Sequence, residues 1–277
     1  MSVCVPAYRA ARFIGRTIES VFAQTMDDFE LVVVDDASPD GTAEVVSGYS
    51  DPRLRLERNP TNLGVAGNWN RAVEMARGRY VKVLCDDDVL YPGCLASQVA
   101  IMDAQPDVAL VAGSRDVIDE SGRILLANRG LGGLEGRVDG RQAVRAAVKR
   151  GTNVFGEPVC VLLRAELMAA CGEFSGLRPY MIDLDYWCRM LRLGALFAQP
   201  GPVGAFRVVG TSLSVHLAGR QRREAVQLFR QLRADDPSGV GAVDIALGAV
   251  RATSLALGRA ASYRLLRPNR SRLDDGN

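Results

Sequence analysis

The sequence contains a single histidine, no C-x-x-C pair among its six cysteines, and no run of about 18 consecutive apolar residues. Without paired cysteines there is no zinc spacing, and cysteines in apolar contexts indicate reduced, buried thiols. The N-terminus also lacks the charged and apolar regions of a signal peptide. Together these absences predict a cytoplasmic protein without a membrane-spanning helix.

A strong excess of one charge is also missing, since the formal net charge is +2. This near balance excludes a general nucleic-acid binder, which carries a strong basic field. The charge is uneven, however: from Gly219 onward there are eleven arginines and six acidic residues, whereas residues 1–218 carry 23 basic and 26 acidic residues. The basic C-terminal segment predicts peripheral contact with an anionic membrane surface, and an arginine-rich surface helix is the alternative.

Apolar runs alternate with helical spacing along residues 1–90. Strands are predicted at MSVCVPAY, FELVVVDDAS, LRLERN and YVKVL. Helices are predicted between them, with Thr42 as the cap of the second and Gly78 as the end of the third. This order predicts an α/β fold with a doubly wound, mostly parallel sheet flanked by helices. Beyond it, an exposed hairpin is expected at DESGRILLA and disorder at residues 267–277.

Polar residues follow three of the predicted strands at the point where each strand ends. Tyr8 follows the first strand, Asp35 and Asp36 end the second, and three aspartates at 86–88 follow the fourth. In a doubly wound sheet, ligands bind beyond the carboxyl ends of the strands. The three clusters therefore predict a single ligand-binding crevice.

The densest of these clusters lies in LCDDDV, residues 84–89. Carboxylate oxygens are preferred ligands of hard divalent cations, and Mg²⁺ sites commonly combine one or two carboxylates with substrate phosphates. The cluster therefore predicts a divalent-metal site that also holds a diphosphate. A solvated acidic loop is the alternative interpretation.

A close resemblance to the inverting family 2 glycosyltransferases, which have the GT-A fold, is carried by two segments: VCVPAYRAARFIGRTIESVFAQTMDDFELVVVDDASPDGT and NLGVAGNWNRAVEMARGRYVKVLCDDDVLYPGCL. It covers residues 1–110 and continues more weakly through DLDYWCR. The NWN tripeptide is similar to a bacterial, rhamnosyltransferase-like subgroup. The resemblance implies a nucleotide-sugar-binding half at 1–110 and an acceptor-binding half at 111–217. The arginine- and alanine-rich sequence that follows predicts a helical basic extension at 218–266.

The resemblance implies a donor site in the first half. There the carboxylate of Asp36 would accept a hydrogen bond from N3–H of a pyrimidine, and Tyr8 would stack on that base. The chain departs from the family at Trp69, where an arginine is usual; Arg71 either replaces that phosphate contact or is an ordinary helix-surface cation. The implied donor-binding residues are Pro6, Ala7, Tyr8, Asp36, Asn62, Gly64, Asn70 and Asp86.

The family's metal-binding Asp-x-Asp motif aligns with residues 85–87, so that Cys85 replaces its first aspartate. Asp87 is then the implied ligand of Mg²⁺ or Mn²⁺, with Asp88 supporting it. His216 follows an arginine-containing loop and is a candidate third ligand; an exposed or structural histidine is the alternative. Arg207, in that loop, is a candidate contact to the diphosphate.

An inverting transfer needs a general base that takes the proton of the acceptor hydroxyl as its oxygen attacks C1. The family places this base six residues before an arginine, and counting back from Arg189 gives Asp183. Ile182 stands where the family has glutamate. Asp185 is interpreted as an acid that favours the helix N-terminus, and the alternative is that both acids serve only the helix dipole.

The resemblance therefore implies a metal-dependent inverting glycosyltransferase. It would move a hexose or deoxyhexose from a UDP- or dTDP-sugar to a saccharide or lipid-linked acceptor in surface glycan synthesis. Two alternatives stay open. One is a non-catalytic nucleotide-sugar-binding protein, which the replacements at Cys85, Trp69 and Ile182 favour. The other is a nucleotidyltransferase, although no glycine-rich basic loop follows the first strand.

Overall fold

The computed structural model of the protein describes residues 1–209 and 220–266, with side chains up to residue 255. Its strands are β1 (Ser2–Ala7), β2 (Glu30–Asp35), β3 (Leu54–Arg58), β4 (Tyr80–Val83), β5 (Val89–Leu90), β6 (Val108–Ile118), β7 (Ile124–Arg129), β8 (Gly136–Val138), β9 (Val161–Arg164) and β10 (Ala195–Arg207). Its helices are α1 (Ile14–Phe22), α2 (Thr42–Ser47), α3 (Gly64–Glu74), α4 (Cys94–Ala104), α5 (Gly140–Arg150), α6 (Met168–Cys171), α7 (Ile182–Met190), α8 (Gln221–Asp235) and α9 (Ala242–Leu266).

The first four strands form a parallel sheet in the order β3-β2-β1-β4. Every residue of β1 is buried, and so are five of the six in β2. Continuous apolar strands of this kind are typical of a parallel sheet whose two faces are both covered by helices. Because the strands are parallel, their carboxyl ends, with the polar clusters, lie at one edge of the sheet.

The second half of the chain extends this sheet with antiparallel and parallel pairs. Strand β9 pairs antiparallel with both β4 and β6, and β6 in turn pairs parallel with β10. Strands β6 and β7 form the predicted hairpin. The predicted α/β class with a sheet flanked by helices is confirmed.

Two local predictions were wrong. Gly41, not Thr42, occupies the N-cap of α2, and the Thr42 hydroxyl instead accepts from the N–H of Ala10 at 2.8 Å. Helix α3 ends at Glu74, before Gly78. A Cβ at Gly78 would lie 2.6 Å from Cα of Met1, so the glycine permits close approach of the chain rather than ending the helix.

The two C-terminal helices of the described chain pack on the same domain. Helix α9 lies against α5, where a side chain at Gly248 would collide with the Val148 carbonyl. The Arg145 side chain, from α5, pairs with the buried carboxylate of Asp244 at 2.8 Å. None of the described helices combines the length and hydropathy needed to cross a membrane.

Candidate active site

Hydrogen bonds connect the end of β1 to the loop after β4, which contains Asp86, Asp87 and Asp88; these three residues are called the acid triplet. The backbone N–H of Tyr8 donates to Oδ2 of Asp86 over 3.0 Å. The hydroxyl of Thr17 lies 3.0 and 2.8 Å from the carbonyl oxygens of Asp86 and Asp88. The structure therefore brings these strand ends together, and Thr17, which the sequence did not single out, fixes the loop between them.

Asp36 is 2% exposed and anchors the turn that leads into α3. Its Oδ1 accepts from Asn59 Nδ2 and from Leu63 N, both at 2.8 Å, and its Oδ2 accepts from Gly64 N at 3.0 Å. Gly64 has φ of 73°, which glycine adopts without strain. Asn62 donates to the Asp36 carbonyl at 3.2 Å. The contact of Asp36 with a nucleotide base stays a prediction.

The two asparagines of NWN face different parts of the molecule, because residues two apart on a helix point to different faces. Asn68 is 3% exposed and donates to Ala7 O and Val34 O, at the ends of β1 and β2. Asn70 instead exchanges two hydrogen bonds with the backbone of Phe174, at 2.8 and 3.1 Å. Asn70 is the asparagine predicted for the donor site, whereas Asn68 is the one that supports the strand ends. The contact of Asn70 with a donor stays a prediction.

Of the three residues predicted to line a base pocket, only Tyr8 presents its side chain. Pro6 and Ala7 are buried within β1, and the Ala7 carbonyl accepts from Asp36 N at 2.9 Å. Tyr8 is 43% exposed, with the Arg9 guanidinium 5.3 Å from its ring centroid. An exposed aromatic ring at a strand end can stack on a flat ligand.

The loops after β1 and β2 both contain backbone strain. Arg9 has φ of 55° and Ala37 has φ of 54°, in the left-handed region that side chains with a Cβ disfavour. The two loops are joined by a 3.0 Å hydrogen bond from Arg9 N to the Ser38 hydroxyl. Strain of this kind persists where surrounding contacts hold the backbone, and it is concentrated at functional sites.

The acid triplet crowds negative charge into a partly buried place. Burial, and then the charge of Asp87, raise the pKa of Asp86 to about 8 and also raise that of Asp88. Asp88 is fully buried: its Oδ1 accepts from Arg207 N at 2.9 Å, and its Oδ2 has no hydrogen-bond partner among the residues that the structure describes. A cation would relieve this crowding.

The side chain of Arg207 is buried and supports the backbone of the triplet. Arg207 is 2% exposed, and its Nε donates to the Asp87 carbonyl at 2.8 Å while Nη1 donates to the Asp119 carbonyl at 3.1 Å. Its contact with a diphosphate stays a prediction.

The residues at this edge fit a divalent cation whose ligands come partly from the protein and partly from a substrate. Within residues 1–209 and 220–255, no three acidic, cysteine or histidine side chains are grouped so as to hold a metal by themselves. Burial and the nearby aspartates raise the pKa of Cys85 well above its usual value, so this residue is a neutral thiol. The carboxylate of Asp87, supported by Asp88, offers the oxygen ligands that Mg²⁺ or Mn²⁺ prefers. Oxygens of a diphosphate would supply the remaining ligands. His216 lies outside the described residues.

Asp183 stands at the start of α7 and is held by an ordered loop. Asn153 Nδ2 donates to Asp183 Oδ2 at 2.9 Å and also to the Gly156 carbonyl at 2.8 Å. Burial, and then the charge of Glu157, raise the pKa of Asp183 to about 7. The carboxylate is therefore poised to take up a proton near neutral pH.

Glu157 is a further acid near Asp183, and no sequence motif pointed to it. Its Oε1 accepts from Arg115 Nη2 at 2.8 Å, and its Oε2 lies 2.5 Å from Arg115 Nε. Its charge acts on both Asp88 and Asp183. The only signal in the sequence was an isolated acid after a glycine in an otherwise apolar stretch, which is too weak to select it.

The second acid of α7 has a structural role. Asp185 lies in the first turn, as the sequence suggested, and pairs with Arg178 at 3.3 Å and with Arg189 at 3.1 Å.

Arg71 pairs with Glu74 at 2.8 Å on the exposed face of α3, where it is a helix-surface cation.

The acid triplet and Asp183 converge although almost a hundred residues separate them in the chain. The pKa of Cys85 is raised by burial and then by the charges of Asp88, Asp87, Asp86 and Asp183. A mostly parallel sheet, with acids at the carboxyl ends of its strands and at the start of α7, fits the GT-A fold. The structure of residues 1–349 of S. aureus TarS in complex with UDP-GlcNAc has the same fold, with a TM-score of 0.65 at 18% identity over 95% of this chain and 72% of that chain.

The sequence profile described as "Glycosyl transferase family 2" matches residues 2–171, more than half of the chain. The protein therefore belongs to glycosyl transferase family 2. It is 27% identical to the putative glycosyltransferase EpsE of Bacillus subtilis, over 70% of this chain and 67% of that protein. It is 33% identical to the UDP-Glc:alpha-D-GlcNAc-diphosphoundecaprenol beta-1,3-glucosyltransferase WfgD of Escherichia coli, over 44% of this chain and 47% of that protein. Membership in this family removes the support for a nucleotidyltransferase, and the rhamnosyltransferase-like subgroup stays a prediction.

Proposed function

We propose that the protein transfers a hexosyl or deoxyhexosyl group from a UDP- or dTDP-sugar to a saccharide or lipid-linked acceptor, with inversion at C1. The observation that carries this proposal is the convergence of the acid triplet with Asp183, whose pKa of about 7 suits a general base. The names of two similar proteins support the donor class: WfgD is named as using UDP-Glc, and TarS was solved with UDP-GlcNAc.

In this proposal the first half of the chain binds the donor. The exposed ring of Tyr8 stacks on the base, and Asp36 keeps the turn into α3 in place beside it. Asp87 and Asp88 are the residues that would hold Mg²⁺ or Mn²⁺. Such an ion would neutralise the negative charge on the leaving diphosphate. Pro6 and Ala7 act only by holding Tyr8.

The second half supplies the proton acceptor. Asp183 takes the proton from an acceptor hydroxyl while the hydroxyl oxygen forms its bond to C1 of the sugar. The bond from C1 to the diphosphate oxygen breaks on the opposite face, and the nucleoside diphosphate leaves with that electron pair. Asn153 holds the Asp183 carboxylate during this step through its 2.9 Å hydrogen bond.

The acceptor is proposed to be part of a surface glycan pathway at the inner face of the membrane. WfgD is named for a diphosphoundecaprenol-linked acceptor, which supports a lipid-linked class. Helix α9 exposes Val243, Leu247 and Val250 beside Arg251, a combination that suits the surface of an anionic bilayer. Sedimentation with anionic vesicles should retain the wild-type protein and lose Val250→Asp, and equal sedimentation of both would contradict the membrane contact.

A thermal-shift screen of nucleotide sugars with Mg²⁺ or Mn²⁺ is the first test, because a ligand that binds only the folded state raises its apparent stability. The donor found in this way should then be hydrolysed slowly, with metal-dependent release of nucleoside diphosphate. Asp87→Ala should lose this release by about a hundredfold, and Asp27→Ala, which removes an aspartate with a 96% exposed side chain, should keep it. Donor binding without any release in the wild type would favour the non-catalytic alternative.

A further inference from the structure

The ion pair between Arg115 and Glu157 lies in the site but has no role in the proposed proton transfer to Asp183. The Arg115 side chain is 12% exposed and that of Glu157 is 27% exposed. Arg115 also donates to the Arg129 carbonyl at 2.9 Å, which fixes the guanidinium against β7. A largely buried ion pair contributes little net stability, because the loss of hydration offsets the attraction. Stability alone therefore does not account for its position beside Asp183.

The loop of residues 153–157 is built so that Glu157 stands beside Asp183. Asn153 Oδ1 accepts from Phe155 N and Gly156 N at 3.0 and 3.1 Å, while its Nδ2 bonds both the Gly156 carbonyl and Asp183. The indole N–H of Trp187, on α7, donates to the same Gly156 carbonyl at 3.1 Å. One asparagine and one tryptophan therefore fasten the loop that bears Glu157 to the helix that bears Asp183.

Gly156 permits this arrangement. Its φ is 91°, and a Cβ at this position would collide with the Cys160 sulfur. Only glycine fits both conditions, so the residue before Glu157 is fixed by backbone geometry and by packing. The carboxylate of Glu157 is thereby directed to the guanidinium of Arg115, beside the proposed general base Asp183.

From this geometry we infer that Glu157, oriented by Arg115, binds a second hydroxyl of the acceptor while Asp183 takes the proton of the attacking hydroxyl. The inference rests on the proposed glycosyl transfer and names its acceptor class: a sugar or polyol with a free hydroxyl beside the reacting one. A carboxylate accepts a hydrogen bond from a sugar hydroxyl, and such bonds to charged groups are stronger than neutral ones. A group adjacent to the base faces the acceptor, because the nucleophile approaches C1 from the side of the base.

Simple alcohols test this inference without knowledge of the natural acceptor. The enzyme, with its metal and nucleotide sugar, is incubated with cyclohexanol, cyclohexane-1,2-diol or cyclohexane-1,3-diol at equal concentrations, and the glycosides are quantified by mass spectrometry. We expect at least one diol to be glycosylated about tenfold faster than cyclohexanol, the effect of one hydrogen bond to a charged group. Glu157→Gln should reduce that preference to about twofold or less, and Glu157→Asp should restore part of it.

The controls separate this inference from the proposed function. Glu166→Gln, at an acid with a 73% exposed side chain, should keep the diol preference, and the melting temperature of each variant checks its folding. Equal preference in the wild type and Glu157→Gln, or no diol product in the wild type, overturns the inference. Loss of donor hydrolysis by water in Glu157→Gln but not in Asp183→Asn also overturns it, since Glu157 would then be the base. Absence of nucleoside diphosphate release in the wild type with every nucleotide sugar would instead refute the proposed function.

Discussion

Asp36 and Asp183 are both aspartates at the ends of secondary structure elements, but their surroundings differ. Three N–H donors approach Asp36 at 2.8 to 3.0 Å, from Asn59, Leu63 and Gly64. Asp183 has fewer donors and a negative neighbour, Glu157, and its pKa is raised to about 7. The comparison shows how one residue type serves two purposes: a carboxylate surrounded by donors anchors the chain, whereas one short of donors and near another acid can exchange protons.

The largest expected effect is that of Asp183→Asn on activity. Loss of a general base should lower the rate of sugar transfer about a thousandfold. Asp185→Asn is the matched control: it should keep most of the activity per folded molecule and lose about 1 to 2 kcal/mol of stability, because Arg178 and Arg189 lose a charged partner. If the two variants exchanged these phenotypes, the base would be Asp185. Transfer rates and urea denaturation measure the two effects.

The pH dependence of transfer should follow the ionisation of Asp183. Because the base must be deprotonated, kcat/KM should rise about tenfold per pH unit below pH 7 and level off above it. A profile that stays flat between about pH 5 and 8 would contradict the assignment of Asp183.

Stability should respond to the two aspartates with opposite signs. Asp36→Ala leaves three buried donors without an acceptor and should lower the free energy of unfolding by about 2 to 4 kcal/mol. Asp27→Ala, at an exposed aspartate, should change it little. Equal stabilities of these two variants would show that Asp36 is not the anchor of the turn into α3.

Asp183→Asn should instead raise stability at about pH 8, by about 1 to 3 kcal/mol. The pKa of Asp183 is higher in the folded state, about 7 against 3.8, so the folded protein retains a proton that the unfolded chain releases. Its ionisation therefore destabilises the fold progressively as the pH rises from about 4 to 7. The gain from Asp183→Asn should vanish near pH 4, and urea denaturation at both pH values checks this sign.

The smallest expected effect concerns the strained loop beside Asp36. Ala37 has φ of 54°, and a β-branched side chain there should cost about 1 to 2 kcal/mol more than alanine. Ala37→Val should therefore lower the melting temperature, and Ala37→Gly should not. A melting temperature of Ala37→Val equal to that of the wild type would mean that the loop relaxes without cost.

How much could be predicted differs between the two halves of the chain. In the first half the apolar runs and strand-end acids predicted four parallel strands and their meeting at one edge, because buried parallel strands have a distinct pattern. The sequence pattern could not predict whether Asn68 or Asn70 supports the strand ends. Both lie on one helix, and only the rotation of that helix decides which of them faces the sheet. Glu157 was not found because it has no motif, and its partner Arg115 is 42 residues away.

The sequence by itself determined the α/β class, the family resemblance and the placement of the acid triplet, including LCDDDV at the end of β4. These follow from local patterns, in which hydrophobic period and residue type act within a few positions of one another. Only the tertiary structure decided that Asp36 is an anchor, that Arg207 supports the triplet from within, and that Glu157 joins Asp183. Those outcomes depend on burial and on donors from distant segments, and the pKa and accessibility of a carboxylate are properties of that surrounding structure.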